Sequence, residues 1–460
     1  MSEQSFFGNN MVAPILPALA QQYETTDIGW MLTFYALVGA VLTPLVGKLA
    51  DVYGKRRLTI AIALIASIGT VVSAFAPDYA TMLVGRSLAA VGIALLPLSY
   101  MLIRDTFPEK LIGPAIGIST TGGGISIIVG PYLAAWLAET FYVGAIFWFI
   151  TAITVVATVL LALYFPETPL RVRVKLDILG MLLMAAGSGS LMFALSFGAR
   201  LGWLSLPVLA LTDASAVTLS AFVWRQMRID YPLIELRVLA SRAVGPIVLA
   251  GILTMAMNTV LGSVLPTFLQ TPTEASGGWG LGLSATEAAL VMLPGGAVII
   301  ATGFIVGLTG RKVGYKRYHV IGSGLMALGA LLVAFIHPGS LVIAGIYVIM
   351  KLGNLWTPAN ANLLASRLPE AQRAVGSASA QTTFTIGSLI AVQIAFALLA
   401  TGVNPENPTL YTESAWTTVF CFSGALGVIA AIIAAVMIRT SSNLLEDARN
   451  ESERGEGSGS

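Results

Sequence analysis

The sequence predicts an all-α membrane protein with 14 transmembrane helices, arranged as two pseudo-symmetric six-helix halves with two extra helices inserted between them. The first observation is composition: 56% of the 460 residues are hydrophobic and only 10% are charged, whereas an ordinary soluble protein is about 25% charged. The second is that runs of about 20 apolar residues, enough for one helical span, alternate with short polar breaks. Extended strands of alternating polarity are missing from the pattern, which argues against a membrane β-barrel.

The predicted spans follow one another closely along the chain. Helix 1 ends near Tyr23, and the residues before it are too few for a full span with a cytoplasmic lead, so we expect the natural start of this helix to be missing. A basic region like that of a signal peptide is absent. Helices 2 to 14 are predicted at Trp30–Leu45, Leu58–Phe75, Tyr79–Ile103, Pro114–Ala138, Gly144–Phe165, Leu179–Phe197, Leu204–Trp224, Val244–Leu269, Ala285–Leu308, Tyr318–Ile336, Leu341–Leu364, Val375–Leu399 and Ala415–Ile438.

Basic residues in the loops predict the orientation. Nearly all loop lysines and arginines follow the even-numbered helices, and the opposite loops hold Arg200 alone. Because lysine and arginine collect on the cytoplasmic side, both termini are predicted to be cytoplasmic and the protein to be a multi-pass protein of the plasma (inner) membrane. The single cysteine, Cys421, excludes an internal disulfide and a cysteine-rich metal site.

An internal repeat divides the chain. The stretch Gly47–Leu58 reads Gly-Lys-Leu-Ala-Asp-Val-Tyr-Gly-Lys-Arg-Arg-Leu and is predicted to be a loop between helices 2 and 3. Gly307–Arg317 repeats its two glycines and its basic end, displaced by 307 − 47 = 260 positions, but has Arg311 where the first copy has Asp51. We therefore predict an N-terminal half at 1–168, an inserted helix pair with linkers at 169–242, a C-terminal half at 243–440 and a disordered tail at 441–460.

The first of these loops resembles the signature loop of the major facilitator superfamily, Gly-x-Leu-x-Asp-x-x-Gly-[Arg/Lys]-[Arg/Lys]. Helix 5 resembles the antiporter motif of the 14-span drug/proton antiporter branch, with Ser126 where the family usually has glycine. The matching positions are Gly47, Leu49, Asp51, Gly54, Lys55 and Arg56 in the loop, and Gly117, Gly130 and Pro131 in helix 5.

The resemblance implies a secondary transporter rather than an enzyme. The expected function is multidrug-type efflux of a small hydrophobic or amphipathic compound by alternating access, driven by the proton gradient and without a cofactor or metal. The alternatives are export of an endogenous lipid or anionic metabolite with the same fold, and a non-transporting membrane scaffold or sensor. The expected partners are the lipid bilayer and a small-molecule or lipid-like substrate, with no nucleic acid, and the protein is expected to be a monomer. A nucleotide-binding loop of the form Gly-x-x-x-x-Gly-Lys-[Ser/Thr] is absent from the sequence, so transport is expected to run on a gradient.

By the same resemblance the loop is expected to be a conformational latch. Asp51 should lie near the start of helix 13, around Ala374–Ser377, where the positive end of the helix dipole attracts a carboxylate. Lys55 or Arg56 should meet Asp105, and the assembled latch should hold the outward-facing state. The latch residues are Gly47, Asp51, Gly54, Lys55, Arg56 and Asp105.

Three ionisable residues are predicted deep in the membrane, where a charge costs about 2.5–3.5 kcal/mol on insertion scales and so indicates function. Arg86 is expected either to face the cavity or to cap backbone carbonyls of helices 1 and 5. Lys351 belongs to a polar patch with Asn354, or it snorkels to a polar region or pairs with a carboxylate. Asp213 is either a proton carrier or, on a peripheral helix, paired with a polar group of helix 7. Gly8 stands where the antiporter branch usually has an aspartate.

The remaining candidates are weaker individually. Because Arg86 and Lys351 are basic and no carboxylate lies deep in helices 1–6 or 9–14, the cavity is predicted to prefer anionic or zwitterionic compounds over lipophilic cations. A stripe of small residues on helix 5, from Gly123 to Ala134, is expected to approach a helix of the other half. The substrate-binding candidates are Asn9, Asn10, Tyr35, Arg86, Gln270, Lys351, Asn354, Trp356 and Gln381, and the proton-coupling candidates are Asp51, Asp213, Glu139 and Glu287.

Overall fold

The structure, a computed structural model, describes residues 2–25, 27–167, 177–272, 280–336, 339–368, 373–403 and 411–438. This part of the chain is helical almost throughout, and the β pairing within it is one isolated bridge between Val403 and Tyr411. The α-helices are α1 Ser2–Asn10, α2 Leu16–Gln22, α3 Trp30–Tyr53, α4 Lys55–Ala74, α5 Tyr79–Ala89, α6 Leu95–Thr106, α7 Glu109–Thr140, α8 Ala145–Tyr164, α9 Ile178–Leu201, α10 Leu206–Gln226, α11 Leu236–Leu239, α12 Gly245–Gln270, α13 Ala285–Val313, α14 Tyr315–Phe335, α15 Ser340–Leu352, α16 Trp356–Arg367, α17 Arg373–Ala400 and α18 Glu413–Met437.

Eleven helical stretches within the described residues are long and apolar enough to cross a membrane. Two of them, Tyr79–Thr106 and Ser340–Arg367, each join two α-helices through a tighter helical turn. A further apolar stretch, Trp30–Thr43, is shorter. The all-helical membrane fold is therefore confirmed, whereas the total of 14 spans and the domain boundaries stay predictions. The predicted tail at 441–460 lies outside the described residues.

Helix 1 is broken rather than continuous. Its first segment, α1, ends at Asn10, a tight turn covers Ala13–Ile15, and α2 ends one residue before Tyr23. Pro14 and Pro17 explain the break, because a proline ring removes a backbone N–H and clashes with the preceding turn. The break leaves backbone carbonyls inside the membrane that need partners from other helices.

The stretch predicted as a basic loop is itself helical. Helix α3 continues to Tyr53 and α4 begins at Lys55, so Gly54 alone interrupts them; the predicted loop is wrong in this respect. Gly54 has φ +99° and ψ +130°, a conformation that other residues adopt only with strain. Gly314, which lies 314 − 54 = 260 positions later, joins α13 to α14 with φ +95° and ψ +126°. The repeat found in the sequence is thus also a repeat of backbone geometry.

The two glycine corners differ in their surroundings. Glu167 lies at the start of α4, where its carboxylate oxygens accept hydrogen bonds from the backbone N–H of Arg56 at 3.1 Å and of Arg57 at 3.2 Å. A Cβ atom on Gly54 would lie 2.7 Å from Oε1 of Glu167. A Cβ atom on Gly314 would have no neighbour within 4 Å among the described residues. Gly54 is therefore required by both backbone strain and space, and Gly314 by strain alone.

We expect Gly54→Ala to destabilise the protein more than Gly314→Ala. Backbone strain costs about 1–3 kcal/mol at either corner, and Gly54→Ala also displaces the carboxylate that caps α4. Thermal unfolding of the purified protein in detergent measures the difference. Gly314→Ala serves as the control for strain, and equal losses of stability in the two variants would contradict the role given to Glu167.

Each half has its own packed helices. In the N-terminal half α4 packs against α5 and α8, and in the C-terminal half α12, α14, α17 and α18 pack together. Phe268 forms edge-to-face contacts with Trp416 and Phe420, each with ring centroids 5.3 Å apart. Buried side chains of both halves, among them Phe147 and Phe268, also belong to one common hydrophobic cluster, so the halves are packed against each other.

The inserted helices form a pair that contacts both halves. Helices α9 and α10 pack along each other, and α9 also packs against α3 and α17. Asp177 precedes α9 and accepts hydrogen bonds from Arg225 Nε at 2.7 Å, from Gly180 N–H at 2.9 Å and from Gln226 Nε2 at 2.5 Å. Burial alone would raise the pKa of Asp177, but these hydrogen bonds outweigh it and hold the pKa below the ordinary aspartate value. The carboxylate therefore stays ionised and fixes α10 to the start of α9.

Candidate functional site

A cavity of about 330 Å³ lies between the two halves, within the range of small-molecule pockets. The N-terminal half contributes the broken helix 1, α3 and α7, and the C-terminal half contributes α12, α13, α15 with the turn after it, and α17. Apolar side chains such as Leu32, Met255 and Met292 form much of the lining. The polar residues of the lining are Asn10, Asn258, Thr259, Ser263, Tyr347, Lys351 and Asn354.

Lys351 is the charged residue of the described cavity lining. It lies in the last turn of α15, and its Nζ donates a long hydrogen bond of 3.5 Å to Oδ1 of Asn258 on α12. The same ammonium lies 5.1 Å from the centre of the Tyr347 ring, within the range of a cation–π contact. No carboxylate of the described chain lies within ion-pair distance of it. The ammonium is thus oriented by neutral groups and has no protein counter-ion there.

A glycine on α13 makes room for this lysine. A Cβ atom on Gly295 would lie 2.4 Å from Cε1 of Tyr347 and 2.8 Å from Cγ of Lys351. The lysine stem and the tyrosine ring therefore pack directly against the backbone of α13, next to Pro294. This packing fixes the direction of the side chain, because the stem has little space in which to change rotamer.

The structure gathers only part of the predicted substrate site. Three candidates, Asn10, Lys351 and Asn354, line the cavity together, and the side chain of a fourth, Asn9, lies outside the described residues. The other candidates lie elsewhere: Tyr35, Arg86 and Trp356 are buried within the halves, Gln270 is at the end far from the basic loops, and Gln381 is exposed on α17 without lining the cavity.

Arg86 lies inside the N-terminal half, which corrects the prediction that it faces the cavity. Its Nη2 donates to the carbonyl of Gly8 at 3.0 Å and its Nε to that of Met31 at 3.4 Å, and the guanidinium lies 4.0 Å from the centre of the Tyr35 ring. The side chain is completely buried. Because the last carbonyls of α1 have no partner in their own helix, a cation at this end is favourable. Arg86 is therefore a structural cap, for helices 1 and 2 rather than helices 1 and 5.

The structure also explains why helix 1 has Gly8 at the position where the resemblance implies an aspartate. A Cβ atom on Gly8 would lie 2.3 Å from the hydroxyl oxygen of Tyr35 and 3.0 Å from Cζ of the same ring. The tyrosine thus occupies the space that a side chain at position 8 would need. This part of helix 1 has no room for an aspartate unless Tyr35 moves.

The halves are joined at the end far from the basic loops, which we call the opposite end. Glu139 at the end of α7 accepts hydrogen bonds from Thr286 of α13, from the backbone N–H at 2.9 Å and from Oγ1 at 2.5 Å. Gln270 Nε2 of α12 donates to the carbonyl of Pro14 at 2.8 Å. Glu287 is exposed and closes a capping box with Ser284 within the C-terminal half. Neither glutamate lines the cavity, but Glu139 links the two halves by capping the positive end of α13.

At the basic end, the end that carries the basic loops, Lys55 forms an ion pair with Asp105 and Arg56 donates to the carbonyl of Ala162. All four residues belong to the N-terminal half, so these contacts cannot by themselves lock one half to the other. The side chains of Gly47, Asp51 and Ala374 lie outside the described residues. The contact between Asp51 and helix 13 therefore stays a prediction.

Two other predictions are corrected. Asp213 is exposed on α10, and it makes no hydrogen bond or ion pair to another described residue, so it is paired with no helix 7 group there. Gly130 faces its own half, because a Cβ atom there would contact Phe7 at 3.5 Å and Met11 at 3.6 Å. The adjacent Pro131 lines the cavity, and Ser126 is buried. The surroundings of Gly117 and Gly123 are outside what the structure describes.

Asn258, which contacts the Lys351 ammonium, is not among the residues predicted from the sequence. A lone amide in the middle of the apolar helix 9 was a usable signal, since polar groups inside a membrane need partners. Gly295 and Gly262 were also missed. Their importance depends on which neighbour faces each glycine, and hydropathy does not report this.

We expect Arg86→Met to destabilise the protein by about 2 kcal/mol or more, because it leaves the buried Gly8 carbonyl near the end of α1 without a donor. Arg86→Lys keeps the charge but cannot reach two carbonyls with a planar fork, so it should retain only part of the stability. Thermal unfolding in detergent provides the comparison. Arg311→Met, at an exposed position of α13, is the control for loss of a positive charge, and a wild-type unfolding temperature in Arg86→Met would rule out the cap.

Comparisons with known proteins agree with this architecture. The Major Facilitator Superfamily profile matches residues 4–392 and 247–457. The lincomycin resistance protein LmrB of Listeria monocytogenes is 27% identical over 454 residues, which cover 94% of this chain and 93% of that protein. An uncharacterized MFS-type transporter of Bacillus subtilis, YhcA, is 30% identical over 311 residues, and the match covers 67% of this chain but only 57% of that protein.

A solved structure shows the likeness in fold alone. The crystal structure of the peptide transporter POT in complex with sulfate superimposes with a TM-score of 0.66 at 16% sequence identity, over 95% of this chain and 93% of that one.

Proposed function

Because this chain belongs to the major facilitator superfamily, and is thus a multi-pass membrane transporter rather than an enzyme, we propose that it exports a small amphipathic compound by alternating access, driven by the proton gradient. The observation that carries the proposal is the central cavity, which both halves line and whose polar groups are few among apolar ones. The similarity to a lincomycin resistance protein over nearly the whole chain supports efflux of a drug-like compound.

The proposed orientation places the basic end in the cytoplasm. The opposite end is then external, and the contacts between Glu139 and Thr286 and between Gln270 and Pro14 close it. A substrate enters the cavity from the cytoplasmic side in this state. Opening toward the outside requires that α7 separate from the start of α13.

Sensitivity to external protons is assigned to this external closure, which acts as a gate and carries no proton across the membrane. The Glu139 carboxylate holds the positive end of α13 only while it is charged, and its exposed position gives external protons access to it. Protonation removes the attraction and favours the outward-open state. Glu287 cannot do the same, because its described contact is with Ser284 of its own half.

We expect Gly262→Phe to abolish transport without unfolding the protein. Gly262 lines the cavity, and a Cβ atom there would have no neighbour within 4 Å in the described chain, so a phenyl ring would fill cavity space rather than displace packed atoms. The measurement is substrate-dependent proton flux in proteoliposomes that contain a pH-sensitive dye, with a panel of amphipathic drugs that includes lincomycin.

The matched control is Gly345→Phe, which adds the same ring at an exposed position of α15 that also has no neighbour within 4 Å among the described residues. Gly345→Phe should transport like the wild type. If the wild type shows no flux with any compound across a pH gradient, the export proposal fails and a non-transporting role is favoured. Unchanged flux in Gly262→Phe would instead contradict the assignment of the cavity.

We expect Glu139→Gln, which imitates the protonated carboxylate, to open the external side more often. In a Cys421→Ser background, Ser263→Cys places a thiol in the cavity lining, and a membrane-impermeant maleimide added from outside should label it several-fold faster in Glu139→Gln. Glu287→Gln is the control, since it changes a carboxylate at the same end that does not bridge the halves. Equal labelling rates in the two variants would remove Glu139 from the closure.

A further inference from the structure

We propose that the cavity binds an amphipathic anion whose negative group pairs with Lys351 and Asn258, while its apolar body lies against Met255, Met292 and Leu32. This inference rests on the proposed export function and deepens it, since it assigns the charge of the exported compound. It is based on the positive charge of Lys351, which no carboxylate of the described chain neutralises.

The groups around the Lys351 ammonium are uncharged. The Lys351 ammonium faces the carbonyl oxygen of the Asn258 amide at 3.5 Å and the Tyr347 ring at 5.1 Å, both neutral groups. In the described chain it makes no ion pair with a carboxylate. A buried charge is stable in protein when it is paired and hydrogen-bonded. The cavity thus offers a positive charge that a ligand can neutralise.

The Lys351 side chain packs closely against a neighbouring helix. Lys351 and Tyr347 pack against α13 at Gly295, where even a Cβ atom would collide with both side chains. The backbone of α13 thus supports the stem on one side, while the side chain lines the cavity on the other. A fixed cation of this kind repels lipophilic cations and attracts anions.

Arg86 is also a buried basic residue, but its contacts differ from those of Lys351. The Arg86 guanidinium donates to the carbonyls of Gly8 and Met31 and is completely buried within one half. Its charge is used to cap backbone. Lys351 lines the cavity, so it is the cation of the described chain that a ligand between the halves can touch.

The polar and apolar residues of the cavity lining also fit an amphipathic ligand. Asn258 lies beside the lysine on α12, and Thr259 and Ser263 continue along the same helix. The methionines on α12 and α13 offer a flexible, polarisable surface that adapts to different apolar shapes. A ligand with one compact anionic group and an aromatic or aliphatic body satisfies both regions.

The test uses two dyes that differ by the anionic group alone. The probe is 8-anilinonaphthalene-1-sulfonate, and its neutral counterpart without the sulfonate is N-phenyl-1-naphthylamine. Binding of each dye to the full chain is measured by fluorescence in nanodiscs of phosphatidylcholine, with empty discs subtracted. We expect the wild type to prefer the sulfonate, and Lys351→Met to weaken its binding by about tenfold or more while leaving the neutral dye unchanged.

Two further variants separate a binding role from a structural one. Lys351→Arg should retain the preference for the sulfonate, because it keeps the charge. Asn258→Asp places a carboxylate where the amide oxygen now meets the ammonium, so it should weaken sulfonate binding as Lys351→Met does. Asn258→Asp should also raise the unfolding temperature, since it pairs the buried charge. A residue that only maintains packing would move both dyes together in Lys351→Met.

Each result of these measurements either supports or overturns the inference. Equal affinity of the wild type for the two dyes, or an unchanged preference in Lys351→Met and Asn258→Asp, overturns the inference. Repetition in discs that contain phosphatidylglycerol identifies the source of the anion: competition with the sulfonate in the wild type but not in Lys351→Met indicates a lipid headgroup, and lack of competition indicates a soluble anion, each in support of the inference. Because binding is measured without a gradient, sulfonate preference without any transport would refute export alone, and transport without preference would refute the anion site alone.

Discussion

The structure depends on the requirement that every backbone polar group inside a membrane has a partner. Continuous helices satisfy it by themselves, but helix 1 does not, because Pro14 and Pro17 divide it. Arg86 supplies the missing donor from helix 4 and at the same time touches the carbonyl of Met31 on α3. One buried guanidinium therefore holds together three helices of the N-terminal half, and the broken helix can line the cavity.

The same electrostatic device recurs at helix ends with different purposes. Glu167 caps α4 within one half, where it stabilises the corner at Gly54. Asp177 precedes α9 and fixes the inserted pair. Glu139 caps α13 from the other half, so its contact exists only while the opposite end is closed. A carboxylate at a helix start thus stabilises one half or joins the two halves, according to whether its contact crosses the boundary between them.

The sequence predicted what depends on spacing and composition. The repeat distance of 260 positions located both glycine corners, and the charge pattern located both ends of the molecule. It failed where the answer depends on which side of a helix a residue faces. Arg86 and Lys351 are both deep and basic, and hydropathy reports depth but not direction, so the sequence does not show that Arg86 is buried within one half whereas Lys351 lines the cavity. The sequence also predicts a loop before α4, whereas a single glycine with positive φ turns the chain there without any other residue leaving the helix.

A lysine without a fixed counter-ion makes the electrical charge of the moving protein depend on its load. In the proposed cycle the centre of the molecule would be neutral with an anion bound, and without one it would carry the positive charge of Lys351, which lines the cavity. Moving one elementary charge through the membrane changes the free energy by about 2.3 kcal/mol per 100 mV. A voltage that is negative inside therefore draws the empty protein back to its inward-facing form and leaves the loaded step unaffected. Export of an anion through this cavity would therefore depend on the membrane voltage, even if no second ion moved with it.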